Sequence, residues 1–379
     1  MFQLSHRNLL HLIASSTLCA SSLSVASPLL TLSDNAALYF VGSASVTADS
    51  NVAYSNTNEL DDVVFDIRPG FELVAGSPDT GASFVLSAAY GLRRYMDYDE
   101  FDTELPAIVA EATFKSAKST TTASASYIET QAENRRGLRG VVLKSAITDL
   151  GFSTEYDASA KTSLLGGISY RDTNREEFGS DYTDFSVPVN VYYAATEKLD
   201  IGLGYRYRDS SVDGSVFGDR SSHFVNLGLR GELTPKLVAD LKVGFQTTDV
   251  DRADSVDGLA LDAKLTYSAS MKSTLDVVLS KDLLVGFGGE VIDNLSVGLV
   301  GNYRFSEAFS ANAMAVVGTD SYESVSRDDD YRIVQVGLMY SPVYFMSVEA
   351  AYMWMDNDSN LAGLDFTKDT LMMSVNLRY

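Results

Sequence analysis

The last nine residues of the chain read Leu371-Met372-Met373-Ser374-Val375-Asn376-Leu377-Arg378-Tyr379. Every second side chain from Leu371 to Tyr379 is apolar or aromatic, and the side chains between them are Met372 and three polar residues. A period of two places alternate side chains on opposite faces of an extended strand. The stretch therefore predicts a β-strand with one face in an apolar medium and the other toward water.

The same alternation recurs along the chain. It is found in the sets Leu86, Ala88, Tyr90, Leu92; Ile201, Leu203, Tyr205, Tyr207; Leu237, Ala239, Leu241, Val243, Phe245; and Leu259, Leu261, Ala263, Leu265, Tyr267. A soluble β-sandwich would produce the same pattern, so the alternation alone does not identify the class of protein.

The connections between the strands separate these two classes. Eighteen candidate strands are joined by links that alternate between short and long, and each strand with its link takes about 20 residues. Outer-membrane barrels have tight periplasmic turns, longer extracellular loops and an even number of strands. Residues 27–379 are therefore predicted to form one domain, an all-β, antiparallel, up-and-down transmembrane barrel of about 18 strands.

Charge is distributed unevenly between the two kinds of connection. Most short turns carry a lysine, whereas the long loops hold most of the acidic residues, as in Asp328–Asp330. The net charge of −22 argues against a nucleic-acid partner, because phosphates would be repelled. The single cysteine, Cys19, excludes disulfides and thiolate metal sites from the rest of the chain.

The N-terminus has the pattern of an export signal. A weakly basic start at Arg7 precedes a short apolar segment, and Ser24-Val25-Ala26 has the small residues that signal peptidase requires. Residues 1–26 are predicted to be a cleaved signal peptide, with cleavage between Ala26 and Ser27. No later apolar run approaches the ~20 residues of a spanning helix. These features together predict a location in the outer membrane of a Gram-negative bacterium.

The terminal strand also resembles the C-terminal insertion signal that the barrel-assembly machinery reads. The matching residues are Leu371, Met373, Val375, Leu377 and Tyr379, and Tyr379 departs from the more usual final Phe. The expected partners are thus the assembly machinery, outer-membrane lipid and lipopolysaccharide.

A second resemblance lies near the start of the barrel. Asp49-Ser50-Asn51-Val52, an acidic stretch with Glu59, Asp61 and Asp62, and the strand from Val63 through Arg68-Pro69-Gly70 to Leu73 resemble the putative β-barrel porin 2 family. The resemblance implies an outer-membrane barrel of about this size. Some members of that family are associated with polysaccharide export together with periplasmic export proteins, and that partnership is an expectation here.

No set of residues predicts an enzyme, a metal site or a cofactor. His223 is the only histidine beyond the signal peptide, and it shares its phase with the lipid-facing residues Val225, Leu227 and Leu229. A nucleophile with a base and an orienting group is therefore not expected.

Two groups of residues are expected to mark the inner and outer faces of the wall. The lumen-lining candidates are Arg68, Arg93, Arg171, Arg206, Arg208, Arg230, Arg304, Asp62, Asp66, Asp200, Asp240 and Asp262. The candidates for an aromatic girdle at the membrane interface are Tyr205, Tyr207, Tyr303, Tyr340, Tyr352 and Trp354. The inward charges could create a transverse field, guide an anionic polymer, or pair with each other.

The sequence leaves two functions open. The first is a passive, porin-like conduit for hydrophilic solutes or exported polysaccharide, with residues 172–184 and 209–222 folding in to narrow it. The second is a closed structural or adhesive barrel that binds a partner through its acidic loops. Inward apolar side chains favour the second function; these are Val85, Phe224, Ile333 and Met372.

Overall fold

The computed structural model describes residues 27–77, 81–131, 135–137, 139–176, 179–323 and 325–379. The predicted signal peptide, which ends at Ala26, lies outside these residues, so the cleavage site stays a prediction. No helix within the described part is long and apolar enough to cross a membrane.

Nineteen strands account for most of the described chain. They are β1 Leu30–Ser33, β2 Ala36–Asp49, β3 Asp62–Ser77, β4 Ala82–Tyr95, β5 Thr103–Lys115, β6 Ser119–Gln131, β7 Lys144–Ser159, β8 Thr162–Arg175, β9 Tyr182–Ala194, β10 Leu199–Val212, β11 Arg220–Thr234, β12 Leu237–Val250, β13 Val256–Ser270, β14 Ser273–Val285, β15 Val291–Arg304, β16 Phe309–Tyr322, β17 Arg327–Val343, β18 Met346–Ser359 and β19 Phe366–Arg378. Among the described residues, one 3₁₀ turn, Asp99–Phe101, lies between β4 and β5.

Strands β2 to β19 form a closed wall. Each strand pairs antiparallel with its neighbour in sequence, and β19 returns to pair with β2 from Thr370↔Asp49 to Arg378↔Val41. Closure gives each strand from β2 to β19 a partner on both sides, which matters because an unpaired backbone group is costly in hydrocarbon. The predicted barrel of eighteen strands is confirmed, with β1 as an addition that the sequence did not indicate.

The alternation seen in the sequence becomes the two faces of this wall. On β11, Phe224 and Asn226 point inward and are buried, whereas Leu227 points outward and is 65% exposed. Exposed apolar side chains of this kind recur around the outer surface, where lipid replaces water as the solvent.

The short strand β1 lies beside the seam of the barrel. It pairs with Ala36–Leu38 of β2, on the edge that β19 occupies from Val41 onward. Between these two stretches, Phe40 and Tyr379 exchange both backbone hydrogen bonds, at 2.5 and 2.8 Å. Strands β1 and β19 therefore lie end to end along one edge of β2.

Candidate functional site

The connection between β6 and β7 crosses the lumen. Its described residues, 135–137 and 139–143, are called the crossing segment below. Strands β7 and β16 are nine strands apart in both directions around the wall of eighteen, so they face each other. Arg136 nevertheless donates to both carboxylate oxygens of Asp320 on β16, at 2.8 and 3.0 Å. The segment is thus held by the opposite wall.

Asp320 collects several partners at this point. Its side chain is 0% exposed. Arg135 Nη2 lies 2.7 Å from Oδ2 as an ion pair without hydrogen-bond alignment, and Asn294 Nδ2 donates to Oδ1 at 2.7 Å. Burial opposes the charge on Arg136, but the Asp320 carboxylate raises the pKa of Arg136 above its ordinary value. A buried carboxylate with two guanidinium partners is a strong anchor.

Aromatic rings support the same anchor. The Arg135 guanidinium lies 3.6 Å from the ring centroid of Tyr331, and that of Arg139 lies 4.5 Å from the ring of Phe366. Arg139 also donates to the carbonyl of Leu364 at 2.8 and 3.1 Å. Burial, together with the nearby cation of Arg327, lowers the pKa of Arg139 to about 10.

Apolar contacts hold the other end of the crossing segment. Leu143 is buried, and Val142 packs against a cluster of Val52, Val64 and Tyr95. A second inward cluster covers the facing wall; it consists of Tyr54, Val316, Tyr331, Ile333, Met355 and Phe366. Of the inward apolar residues noted in the sequence, Phe224 and Ile333 are buried, whereas Val85 and Met372 are partly exposed. Much of the lumen on this side is therefore filled.

The tip of the β14–β15 hairpin, residues 286–290, leans over the opposite half of the lumen. Strand β14 pairs with β13 only as far as Lys281↔Leu261 and then continues with β15 alone. Arg208 of β10 donates to the Leu283 carbonyl at 3.0 Å and to the Asp282 carboxylate at 2.7 Å. Arg220 of β11 donates to the carbonyls of residues 289 and 290. Arginines of the wall thus hold the hairpin inward.

The expected narrowing by residues 172–184 and 209–222 is wrong for most of both ranges. Strands β8 to β11 continue through them and leave connections whose described residues are 176, 179–181 and 213–219. The two connections instead hydrogen-bond to the hairpin tip. Ser215 donates to the Gly288 carbonyl at 3.3 Å, and Ser180 N–H donates to the Phe287 carbonyl at 3.3 Å.

A cavity of about 240 Å³ remains between the crossing segment and the wall. Four of the side chains that line it are charged: Asp49, Arg68, Arg93 and Lys368. Lys368 pairs with Asp49 at 2.7 Å, and Arg93 pairs with Asp66 at 3.0 and 3.1 Å. Arg68 makes no hydrogen bond or ion pair with any residue that the structure describes. The Asp66 carboxylate acts on Arg68 at longer range but is bonded to Arg93, so Asp49 and Asp66 face three cations and the cavity keeps an excess of positive charge.

The local backbone explains the position of Arg68. Proline has no N–H to donate, and the β3–β4 ladder has no bridge pairs at Arg68 and Pro69, between Ile67↔Leu92 and Gly70↔Ala89. Opposite this gap stands Gly91, where an added Cβ would lie 3.1 Å from Arg68 Nε and 3.0 Å from the Leu105 carbonyl oxygen. The glycine therefore provides the space that Arg68 occupies.

The other lumen candidates lie in the inward phase, but most are paired. Arg171 bonds to Asp149 at 2.6 and 3.0 Å, and Arg206 lies 3.5 Å from Asp282. Arg230 bonds to Glu155 and, at 3.0 Å, to Asp200. Asp240 and Asp262 stand opposite lysines in the strand register, at Asp240↔Lys264 and Lys242↔Asp262. These pairs form a balanced, polar inner wall.

Two of the candidates have other roles. The buried carboxylate of Asp62 accepts hydrogen bonds from the amides of residues 96, 97 and 98, so it orders the connection between β4 and β5. Arg304 is exposed at the periplasmic end of β15, where it donates to the Met271 carbonyl at 3.4 Å.

The girdle candidates all lie on the outward face. Tyr205 makes a 2.7 Å hydrogen bond with His223 Nδ1, and Tyr352 donates to Asp369 at 2.5 Å. His223 therefore lies on the outer surface, as its phase predicted. Among the described residues, no group of three or more histidine, cysteine, aspartate or glutamate residues is arranged to hold a metal ion.

Sequence reasoning missed the residues that fill the lumen. These are Arg135, Arg136, Arg139, Arg175, Arg220, Asp320, Tyr331 and Lys368. One signal was present, because Arg135-Arg136-Gly137-Leu138-Arg139 is a basic run in a set of otherwise acidic long loops.

Solved structures with the same architecture include a porin and an outer-membrane protein. A BenF-like porin from Pseudomonas fluorescens Pf-5 matches with a TM-score of 0.55 and 12% identity, over 92% of this chain and 100% of that one. OccK2 (OpdF) from Pseudomonas aeruginosa matches with a TM-score of 0.51 and 12% identity, over 90% and 98%. The outer membrane protein OpdK from the same species gives 0.50 and 13%, over 91% and 99%. At such identities the likeness concerns the fold.

A sequence-family comparison agrees with the fold. The family described as Putative beta-barrel porin 2 matches residues 217–379, so the expected resemblance is confirmed, although on strands beyond the 49–73 region that suggested it. No curated protein matches the sequence. The chain is thus a porin-like β-barrel of the bacterial outer membrane, and its residues 217–379 match the putative β-barrel porin 2 family.

Proposed function

We propose that this barrel is a restricted channel for small hydrophilic solutes, with a preference for anions. The observation that carries the proposal is the unpaired guanidinium of Arg68 in the cavity below the crossing segment. A barrel of eighteen strands would enclose a wide aqueous lumen, so the crossing segment and the hairpin tip restrict what passes.

The charge preference follows from pairing. Arg93 and Lys368 each have a carboxylate partner within 3.1 Å, so their fields are largely cancelled at a distance. Arg68 has none among the described residues, and a charge in a confined, partly apolar cavity is screened less than one in bulk water. A solute with a carboxylate or phosphate group would be stabilised there.

The test is ion selectivity in a planar bilayer, with the protein refolded from residue 27 onward. In a salt gradient, we expect the reversal potential to show anion preference in the unmodified protein and loss of that preference in Arg68→Gln. Arg332→Gln is the matched control, because Arg332 lies on the outward face and pairs with Asp356. Cation preference in the unmodified protein, or no change in Arg68→Gln, would contradict the proposal.

Glucuronate is a suitable solute probe, because OccK2 has been crystallised in complex with it. We expect glucuronate to reduce the open-channel current in a concentration-dependent way, and Arg68→Gln to weaken that block about tenfold or more, as loss of a charge-assisted hydrogen bond would. Uncharged glucose serves as the control solute, with similar block in both proteins. Equal block by glucuronate in both proteins would remove Arg68 from the pathway.

The two buried inward clusters favour a second candidate, a closed structural barrel. The side chains of the cluster around Tyr331 and Ile333 are each no more than 7% exposed, which is the burial expected in a sealed lumen. A folded protein that stays silent in the bilayer would support this candidate over the channel. Polysaccharide export has less support, because a polymer requires a lumen free of the crossing segment.

A further inference from the structure

Five consecutive periplasmic connections share one short motif. Each has Ser or Thr, any residue, then Lys; they are Ser116–Lys118, Ser159–Lys161, Thr196–Lys198, Thr234–Lys236 and Ser270–Lys272. In every case the lysine N–H donates to the Ser or Thr hydroxyl oxygen, at 3.1 to 3.3 Å. Such side-chain to backbone bonds stabilise a tight turn. The five lysines therefore occupy equivalent positions along the rim from β5 to β14.

A second bond repeats with the first. The carbonyl of each lysine accepts a hydrogen bond from the end of the next hairpin, at 2.8 or 2.9 Å. At four of the five turns, the residue immediately before that donor is a tyrosine on the lipid-facing side; these are Tyr156, Tyr193, Tyr267 and Tyr303. Their side chains are 42 to 48% exposed. The rim thus carries four repeated Lys–Tyr units.

The turn at Lys198 differs from the other four in two respects. At Lys198 the position of the tyrosine is taken by Gly231, and the lysine makes an ion pair with Glu232 at 2.6 Å. Where the tyrosine is missing, the lysine is neutralised by its own chain. This turn is therefore a natural control for the other four.

The other four lysines are exposed and have no carboxylate partner among the described residues. Lys236 and Lys272 donate only to backbone carbonyls, those of Ala269 at 3.0 Å and Phe305 at 3.3 Å. Lys118 and Lys161 make no side-chain bond to a described residue. Free ammonium groups in a row are unexpected on a chain with a net charge of −22. They point to an anionic partner at this rim.

We propose that the four Lys–Tyr units bind the phosphate groups of anionic phospholipids in the periplasmic leaflet. A tyrosine on the lipid-facing side has its ring in the acyl chains and its hydroxyl at headgroup depth. A lysine at the same depth attracts an anionic headgroup, by about fivefold in binding for each lysine. An acidic protein that docks from the periplasm would use the lysines but would have no use for tyrosines that face lipid. The repeated pairing therefore favours lipid.

The test is lipid retention, measured by native mass spectrometry after mild detergent extraction from vesicles of phosphatidylethanolamine and phosphatidylglycerol. We expect the unmodified protein to retain phosphatidylglycerol preferentially, and the fourfold variant K118Q/K161Q/K236Q/K272Q to lose that preference by about fivefold or more. Lys198→Gln should behave as the unmodified protein. The corresponding fourfold Lys→Arg variant should retain the preference, because it keeps the charge.

Folding is monitored separately by circular dichroism and by channel conductance, since none of these lysines touches the lumen site. A fourfold Gln variant that folds and still prefers phosphatidylglycerol would overturn the proposal. No preference in the unmodified protein, with binding of an acidic peptide such as polyglutamate instead, would assign the rim to a protein partner and would also overturn it.

Discussion

At the scale of single residues, Asp320 is the side chain on which the crossing segment depends most. It is fully buried on β16 and is approached by two guanidinium groups and one amide. Removing one member of a buried ion pair leaves its partner charged and desolvated, at a cost of about 3–5 kcal/mol. Here that cost falls on the docked position of the segment, because Arg135 and Arg136 regain water when the segment moves away.

We therefore expect Asp320→Asn to raise single-channel conductance and to make residues 135–143 accessible to protease, with the barrel still folded. Asp149→Asn is the control, because it breaks a pair of the same type, with Arg171, between neighbouring strands that hold no loop. Unchanged conductance and protease resistance in Asp320→Asn would show that the segment is held by other contacts.

Gly91 is the other residue with a specific consequence. A methyl group at this position would meet both Arg68 and the backbone of β5, which cannot move easily. We expect Gly91→Ala to displace the guanidinium and to reduce anion preference in reversal-potential measurements while leaving conductance nearly unchanged. Gly166→Ala is the control, since a Cβ there meets nothing within 4 Å. Full anion preference in Gly91→Ala would mean that Arg68 has room to adapt.

The sequence indicated the inward face of most charged residues but not which of them are free. The alternation places both Arg68 and Arg93 on the inward face, and only the structure shows that Asp66 bonds to Arg93. Asp320 gave no signal, because an aspartate on the polar face of a strand is ordinary until a loop from the far wall reaches it.

At the scale of elements, the hairpin of β14 and β15 is the part of the wall that departs from a regular barrel. Beyond Lys281, β14 no longer pairs with β13. This end of the hairpin is instead bonded to arginines of β10 and β11. Three carbonyl oxygens accept from these two arginines, so the inward position depends on side chains rather than on the ladder.

We expect Arg208→Ala combined with Arg220→Ala to release residues 286–290 and to increase current fluctuations and mean conductance. The measurement is single-channel recording of the double variant. The control is Arg332→Ala, which removes an arginine of the outward face. A double variant with the steady conductance of the unmodified protein would show that the hairpin stays in place without these arginines.

The strands themselves were largely predictable, because alternation with a period of two is a local property of the chain. Their ends were not, since several strands run past the region where lipid imposes the pattern; β10 reaches Val212 and β11 begins at Arg220. The departure of β14 from β13 could not be read from β14 alone, because residues about seventy positions away cause it.

At the scale of the whole molecule, a regular barrel wall surrounds a lumen that the crossing segment and the β14–β15 hairpin tip partly fill. The size of the remaining opening should set an upper limit on the solutes that pass. We expect liposomes with the protein to swell rapidly with a monosaccharide and at least about tenfold more slowly with a trisaccharide, as expected for a constricted pore. In Asp320→Asn this difference should shrink. Equal rates for both sugars in the unmodified protein would contradict a restricted channel.

Length, alternation and the rhythm of connections were enough to predict the closed wall and its location. The filling of the lumen was beyond the same reasoning, because it depends on contacts between opposite walls, such as Arg136 with Asp320, that no local pattern records.

The place of β1 has a consequence for how the barrel closes. Strand β19 could pair with β2 in several registers that differ by two residues, since each would keep the same faces inward and outward. A slide of Tyr379 toward Leu38 is blocked, because Leu30 already pairs with that residue. A slide in the other direction would leave Phe40 without the two bonds it exchanges with Tyr379. The short strand β1 thus limits the registers open to β19 at the seam, and its pairing with β2 fixes the position at which Tyr379 stops.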